Sequence, residues 1–109
     1  MTIYVEDLKF QCIIGILDFE RVTPQDIIIN LSLKYKFKDD FINYAEVAEL
    51  IESQMKKKKF LLIEDALKSI SKSLKKEFQQ IKKIDLKITK PSILPNCKVS
   101  VSQKYKFKS

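Results

Sequence analysis

Hydrophobic and polar residues alternate along the first third of the chain, a pattern typical of β-strands with one buried face. Between residues 2 and 16 the alternation places apolar side chains on one side and polar side chains such as Lys9 and Gln11 on the other. The apolar side contains Leu8, Phe10, Cys12 and Ile14. From Asp26 to Lys38 an apolar residue occupies every second position, from Ile27 to Phe37. We therefore predict a first strand within residues 2–16 and a long antiparallel second strand over residues 26–38 with one solvated face.

Residues 16–25 join these strands and form a connection too long for a tight hairpin turn. The connection follows Gly15, the only glycine of the chain, and has Pro24 near its end. A single glycine after a strand indicates a position where a side chain would not fit or where φ must be positive. Loops of this length often carry function.

Helical periodicity replaces the alternation in the middle of the chain. After a turn at residues 38–41, Asn43 and Glu46 have the spacing of a capping box, which predicts a first helix running to about Lys57. Apolar residues at three- and four-residue spacing then mark the buried stripe of a second helix from about Ile63 to Gln80. That stripe contains Ile63, Leu67, Ile70, Leu74 and Phe78.

Two more strands close the chain. Alternation over residues 84–89 predicts a third strand that stops at Lys90-Pro91, because proline has no N–H for the ladder. Residues 92–98 read as a loop, and a fourth strand follows with apolar positions Val99, Val101, Tyr105 and Phe107. The order ββααββ, without a linker, predicts one α+β domain over residues 1–109, with a four-stranded antiparallel sheet and both helices on one face.

Composition excludes several kinds of chemistry. The chain has no histidine, which excludes Ser-His-Asp and Cys-His catalysis and histidine-ligated metals. Its only cysteines, Cys12 and Cys97, lack metal-ligand spacing, so we expect reduced thiols and no metal. No apolar run approaches the roughly 20 residues that cross a bilayer, and the first residues do not resemble a signal peptide. We therefore expect a cytoplasmic protein that does not bind membranes.

The formal net charge of +7 suggests nucleic-acid binding as an alternative function. However, Arg21 is the only arginine, and arginine is preferred for bidentate contacts to bases and phosphates. One glycine cannot form a GxxG clamp, and the aromatic motif of RNA-recognition domains is absent. The run Lys56–Lys59 fits the exposed C-terminal turn of the first helix. We therefore favour a solvated lysine-rich surface and predict no nucleic-acid partner.

Glu64 follows the apolar run Phe60-Leu61-Leu62-Ile63 and needs a physical explanation. A carboxylate beside apolar surface is costly unless its oxygens find hydrogen-bond donors. The helix macrodipole could stabilise an acid in the first turn. Alternatively, a ligand could supply a pair of N–H groups, as the edge of a 2-amino-4-oxo-pyrimidine does. The spacing alone leaves both explanations open.

Four blocks of sequence resemble the dihydroneopterin aldolase family of tunnelling-fold enzymes, in the right order and over essentially the whole chain. They are residues 14–21 (IGILDFER) with Pro24-Gln25, Asn43-Tyr44-Ala45-Glu46-Val47, residues 60–64 (FLLIE), and Ile88-Thr89-Lys90-Pro91. Glycines that the family often has near Asp7, Ser92, Asn96, Lys98 and Ser100 are absent here.

The resemblance implies an aldolase of folate biosynthesis that cleaves 7,8-dihydroneopterin without metal, cofactor or Schiff base. It implies that Glu64 anchors the pterin through two N–H bonds and that the backbone near Ile63 adds a contact. Tyr44 would lie beside the pterin, and Glu20 would position the side-chain hydroxyls or a water. Lys90 would stabilise charge at N5 and, with Tyr44, transfer protons.

The resemblance also implies an assembly. Family members form closed barrels of four subunits, which can stack in pairs, with active sites between subunits. We therefore expect a homo-tetramer or homo-octamer, in which Tyr44 can serve a neighbour's pocket. A 2′-epimerase acting on dihydroneopterin or its triphosphate is a close alternative, because the same residues would serve both reactions.

Overall fold

A computed structural model describes residues 1–37 and 40–108. The elements in chain order are β1 (Thr2–Cys12), α1 (Asp18–Val22), β2 (Gln25–Tyr35), α2 (Tyr44–Lys58), α3 (Ile63–Glu77), β3 (Ile81–Lys90) and β4 (Val99–Lys106). The predicted α+β class and the ββααββ order are confirmed, with one additional short helix, α1. β2 ends at Tyr35, so the predicted strand over residues 26–38 is too long at its C-terminal end. Lys38 itself and Asp39 of the predicted turn lie outside the described residues.

The strands form one antiparallel sheet in the order β1-β2-β3-β4, so β1 and β4 are its edges. Alternate residues of the central strands are fully or almost fully buried beneath α2 and α3. In β2 and β3 these residues are Ile27, Ile29, Leu31, Leu33, Ile84, Leu86 and Ile88. The removal of this apolar surface from water is the main contribution to stability. The opposite face of the sheet carries the polar residues of the alternation.

Both long helices pack apolar residues against the sheet. Val47, Ile51 and Met55 of α2 have no exposed surface. In α3 the whole predicted stripe is buried, and Phe78 follows directly as the C-terminal cap. None of the helices in the described ranges is long and apolar enough to cross a membrane.

The ends of α2 have clear causes. The Asn43 side chain accepts a hydrogen bond from the Ala45 N–H at 2.9 Å, which confirms the predicted N-terminal cap. Within residues 1–37 and 40–108, however, no hydrogen bond returns from the Glu46 side chain to Asn43, so the capping box is only half formed. The helix ends at Lys59, which has φ 48°. As predicted, Lys56–Lys59 are exposed.

Several boundaries differ from the prediction. β1 ends at Cys12 rather than near residue 16, because the Gly15 N–H leaves the sheet and donates to the Phe60 carbonyl at 3.0 Å. β3 begins at Ile81 rather than Ile84, and Phe107 lies just beyond the end of β4. The predicted loop over residues 16–25 contains α1, which at five residues is too short to show a period in the sequence.

Candidate active site

A buried ion pair joins the two halves of the chain. Lys90 Nζ lies 2.7 Å from Glu20 Oε2, although the residues are 70 positions apart. Only 10% of the Lys90 side chain and 3% of the Glu20 side chain are exposed. Glu20 is in α1, within the β1–β2 connection, and Lys90 is the last residue of β3. Two of the predicted site residues are therefore in direct contact.

Glu20 accepts hydrogen bonds from two further donors. Gln25 Nε2 donates to Glu20 Oε2 at 2.8 Å, and the Leu17 N–H donates to Glu20 Oε1 at 3.2 Å. Burial alone would raise the pKa of Glu20, but the bonds from Lys90, Gln25 and Leu17 outweigh it and lower the pKa below its ordinary value. Glu20 is consequently an ionised, fixed acceptor at neutral pH.

Gly15 makes room for this carboxylate. Its φ of 123° lies in a region that side chains rarely adopt. A Cβ atom added at Gly15 would overlap the carboxylate group of Glu20. The only glycine of the chain is therefore required for both reasons that the sequence suggested, and the backbone approaches the Glu20 carboxylate closely.

Arg21 fastens the β1–β2 connection to the α2–α3 turn. One guanidinium nitrogen donates to the Gly15 carbonyl at 3.0 Å and to the Phe60 carbonyl at 3.2 Å, and the other donates to the Lys59 carbonyl at 2.9 Å. The planar fork of arginine can hold acceptors on two chain segments at once. Arg21 thus fixes the segment that carries Glu20 against the segment that leads to Glu64.

Glu64 is exposed, in the first turn of α3. It borders a hollow of about 290 Å³ between α3 and β4, whose other lining residues are Leu67, Lys68, Val101, Gln103 and Tyr105. Val101 lies two residues along β4 from Val99, which pairs with Lys90. The N–H groups of the first helical turn, beginning at Ile63, have no acceptor within the helix. A ligand in this hollow can reach the Glu64 carboxylate.

Tyr44 lies at the other end of the molecule from the ion pair. It is 70% exposed and is the first residue of α2, a helix of 15 residues. The far end of α2 is the end held close to Gly15, through the Phe60 carbonyl. A helix of this length spans about 20 Å, so Tyr44 cannot reach Glu20 or Lys90 of its own chain.

Two residues of the site, Gln25 and Arg21, received no role from the sequence. Gln25 was part of a matching block, and its side chain also donates to the Ile14 carbonyl at 2.8 Å. For Arg21 a signal was present, because it is the one arginine in a chain whose other basic residues are all lysine. That choice is explained by the three carbonyl oxygens that it binds.

Cys12 lies near the site but is chemically quiet. It is buried, and burial raises the pKa of its thiol to about 11, although the charges of Lys56 and Lys90 oppose the shift. A neutral thiol is a poor nucleophile. This agrees with a structural role for Cys12.

Two features define a member of the tunnelling-fold class. One is the antiparallel sheet with two long helices on one face, and the other is the buried carboxylate–lysine pair at the end of β3. Residues 3–104 match the family FolB, dihydroneopterin aldolase. The chain therefore belongs to the dihydroneopterin aldolase family, as its sequence blocks predicted.

Individual proteins agree with this assignment. The chain is 29% identical over 97 residues to a dihydroneopterin aldolase of Haemophilus influenzae, covering 82% of this chain and 81% of the relative. The fold matches an Escherichia coli dihydroneopterin aldolase in complex with neopterin (TM-score 0.85, 20% identity, 96% and 98% of the two chains). It also matches a dihydroneopterin aldolase from Burkholderia thailendensis bound to guanine (TM-score 0.79, 17% identity, 99% and 92% covered).

Proposed function

We propose that this protein is a folate-biosynthesis aldolase that cleaves 7,8-dihydroneopterin into 6-hydroxymethyl-7,8-dihydropterin and glycolaldehyde. The observation that carries the proposal is the buried Glu20–Lys90 pair at 2.7 Å, on the segments that match the family. Burial of such a pair costs desolvation energy, so a buried pair at the end of a strand indicates a functional site. The family assignment also favours the cytoplasm as the location.

Glu64 would recognise the pterin. Its carboxylate is exposed at the hollow beside β4 and can accept two N–H bonds from the 2-amino group and ring N3. The N–H groups of the first turn of α3, near Ile63, can bond the adjacent ring oxygen. Neopterin and guanine, which the two related structures bind, share this 2-amino-4-oxo-pyrimidine edge.

The bond cleavage needs no electron sink from the protein, because the C6=N5 imine of the substrate accepts the electrons. Loss of the 2′-hydroxyl proton forms the C2′ carbonyl of glycolaldehyde and breaks the C1′–C2′ bond. The electron pair moves into the C1′=C6 enamine and towards N5. Protonation at C1′ then gives the hydroxymethyl product.

Lys90 would stabilise the charge that develops at N5. Its ammonium group has three N–H donors, one of which Glu20 accepts, so donors remain for N5 or a bridging water. Glu20 would hold Lys90 in place and position the substrate hydroxyls or a water. Tyr44 would lie beside the substrate and take part in proton transfer.

A ring of subunits would bring Tyr44 into the site. Tyr44 is too far from Lys90 within one chain, so a neighbour must supply it. The edge strands β1 and β4 can pair between copies, which closes four sheets into a barrel and removes the open edges. The exposed Leu17, Phe19, Leu61 and Leu62 would be covered in such an assembly. We therefore propose a homo-tetramer, or an octamer of two stacked rings.

The proposal is tested by incubating purified protein with 7,8-dihydroneopterin and measuring both products, with the 2′-epimer measured in parallel. We expect Lys90→Ala to bind the pterin but to lose turnover, and Glu64→Ala to lose pterin binding. Lys87→Ala is the matched control for Lys90, because it is an exposed lysine of the same strand. Asp65→Ala is the matched control for Glu64, because it is the adjacent exposed acid. Absence of glycolaldehyde from the wild type would refute the aldolase proposal.

A further inference from the structure

Three lysines stand side by side on the face of the sheet that the helices leave uncovered. Lys34 of β2 pairs with Lys83 of β3, and Lys83 pairs with Lys106 of β4. We refer to Lys34, Lys83 and Lys106 as the lysine row. Like charges directly opposite each other on neighbouring strands are destabilising. No residue of the row forms an ion pair with any other described residue.

The lysine row lines a groove of about 430 Å³. A fourth cation, Lys104, also lines the groove, and Asp85 is the only acid among its lining residues. The remaining polar side chains, those of Thr2, Ser32 and Tyr105, carry hydroxyls that can donate hydrogen bonds. The groove therefore combines an excess of three positive charges with neutral donors.

Within one chain, the groove is separate from Lys90 and Glu20. Lys90 belongs to the buried, helix-covered face of β3, whereas Lys83 belongs to the opposite face. The seven residue steps from Lys83 to Lys90 correspond to about 23 Å of strand. A phosphate tail on a substrate bound at Lys90 cannot reach the groove of the same chain.

We propose that this groove binds a linear oligophosphate. Three cations on adjacent strands extend across two strand spacings, or about 10 Å, which suits a row of linked phosphates better than a single phosphate. The bound anion would offset the repulsion between neighbouring lysines, which would explain why three of them stand in register. Free inorganic oligophosphate and the triphosphate tail of a nucleotide share the required chemistry.

The test is thermal unfolding of the full chain with sodium tripolyphosphate, with ATP and with sodium sulfate, all at matched ionic strength. The row variant is Lys34→Gln with Lys83→Gln and Lys106→Gln. The matched control is Lys57→Gln with Lys72→Gln and Lys76→Gln, which removes the same charge from exposed helical positions. The midpoint of unfolding reports ligand binding because a ligand of the folded state stabilises it.

We expect tripolyphosphate to raise the midpoint of the wild type and of the control by several degrees more than sulfate does, and to lose this extra effect in the row variant. If ATP raises the midpoint as much as tripolyphosphate does, the groove accepts the triphosphate tail of a nucleotide. If ATP raises it less, the groove prefers free oligophosphate. Without oligophosphate, added sodium chloride should raise the midpoint of the wild type more steeply than that of the row variant, because it screens the repulsion. An effect of tripolyphosphate no larger than that of sulfate, or equally large in the row variant, would overturn the proposal.

Discussion

Lys90 Nζ and Glu20 Oε2 lie 2.7 Å apart, and this contact ties the end of β3 to the loop between β1 and β2. Both groups are almost completely shielded from water, so neither can regain its hydration if the other is removed. The contact therefore acts on stability and, in the proposed reaction, on chemistry as well.

The first prediction separates these two effects. Lys90→Met or Glu20→Gln alone should destabilise the fold by about 3–5 kcal/mol, because each leaves an uncompensated buried polar or charged group. The double variant should recover much of that loss, because no unpaired charge remains. Urea unfolding of the four proteins measures the coupling. Activity should be lost in all three variants, and an active double variant would contradict the proposed role of Lys90.

The second prediction concerns acid stability. In the folded protein the pKa of Glu20 is held below its ordinary value of 4.5, because the bonds from Lys90, Gln25 and Leu17 outweigh the effect of burial. The stabilisation is therefore fully present above the unfolded-state pKa and is lost as the pH falls through the folded-state pKa. Unfolding midpoints in urea should fall from about pH 4.5 downwards. Glu20→Gln should lack this part of the pH dependence of stability. If the midpoints of Glu20→Gln fall below pH 4.5 as steeply as those of the wild type, the prediction is wrong.

The third prediction concerns Arg21. Arg21→Lys keeps the charge, but one ammonium group cannot hold the carbonyls of Gly15, Lys59 and Phe60 together. We expect a loss of about 1–3 kcal/mol of unfolding free energy. We also expect kcat to fall at least about tenfold with a smaller change in KM, because Glu20 loses its position. The assay is made at a temperature where the variant is folded. If the variant has the kcat of the wild type at that temperature, Arg21 contributes to stability and not to catalysis.

The fourth prediction concerns Gly15. Gly15→Ala places a methyl group where the Glu20 carboxylate lies, at a φ that alanine rarely adopts. The variant should lose activity because the Glu20 carboxylate must move away from Lys90. Its unfolding free energy should also fall by about 1–3 kcal/mol. Ser102→Ala, at an exposed position on β4, is the control for expression and handling. Full activity in Gly15→Ala would show that the carboxylate position is not critical.

Periodicity predicted the long elements because a buried stripe repeats many times along each of them. It missed α1, whose five residues include only one buried side chain, Glu20. The early end of β1 was also missed, because it depends on the Gly15 N–H bonding to Phe60, a residue far away in the sequence. Local patterns do not contain such long-range partners.

The candidate site was predictable in residue types and only partly in geometry. The blocks that matched the family contained Glu20, Tyr44, Glu64 and Lys90, but only the fold reveals that Glu20 contacts Lys90 and that Tyr44 is remote from both. The latter fact follows from the length and direction of α2. The sequence therefore identified candidate groups without determining which chain supplies each of them.

The fifth prediction tests whether neighbouring subunits share a site. Tyr44→Ala and Lys90→Ala should each be inactive, but the two variants unfolded together and refolded as a 1:1 mixture should regain activity. An intact site needs Lys90 from one chain and Tyr44 from its neighbour, each present half of the time, so random assembly should restore roughly a quarter of wild-type activity. A mixture of Lys90→Ala with Glu20→Ala should stay inactive, because both residues belong to the same chain's half of the site. If the Tyr44→Ala and Lys90→Ala mixture also stays inactive, although mixed assemblies form, the site is not shared in this way.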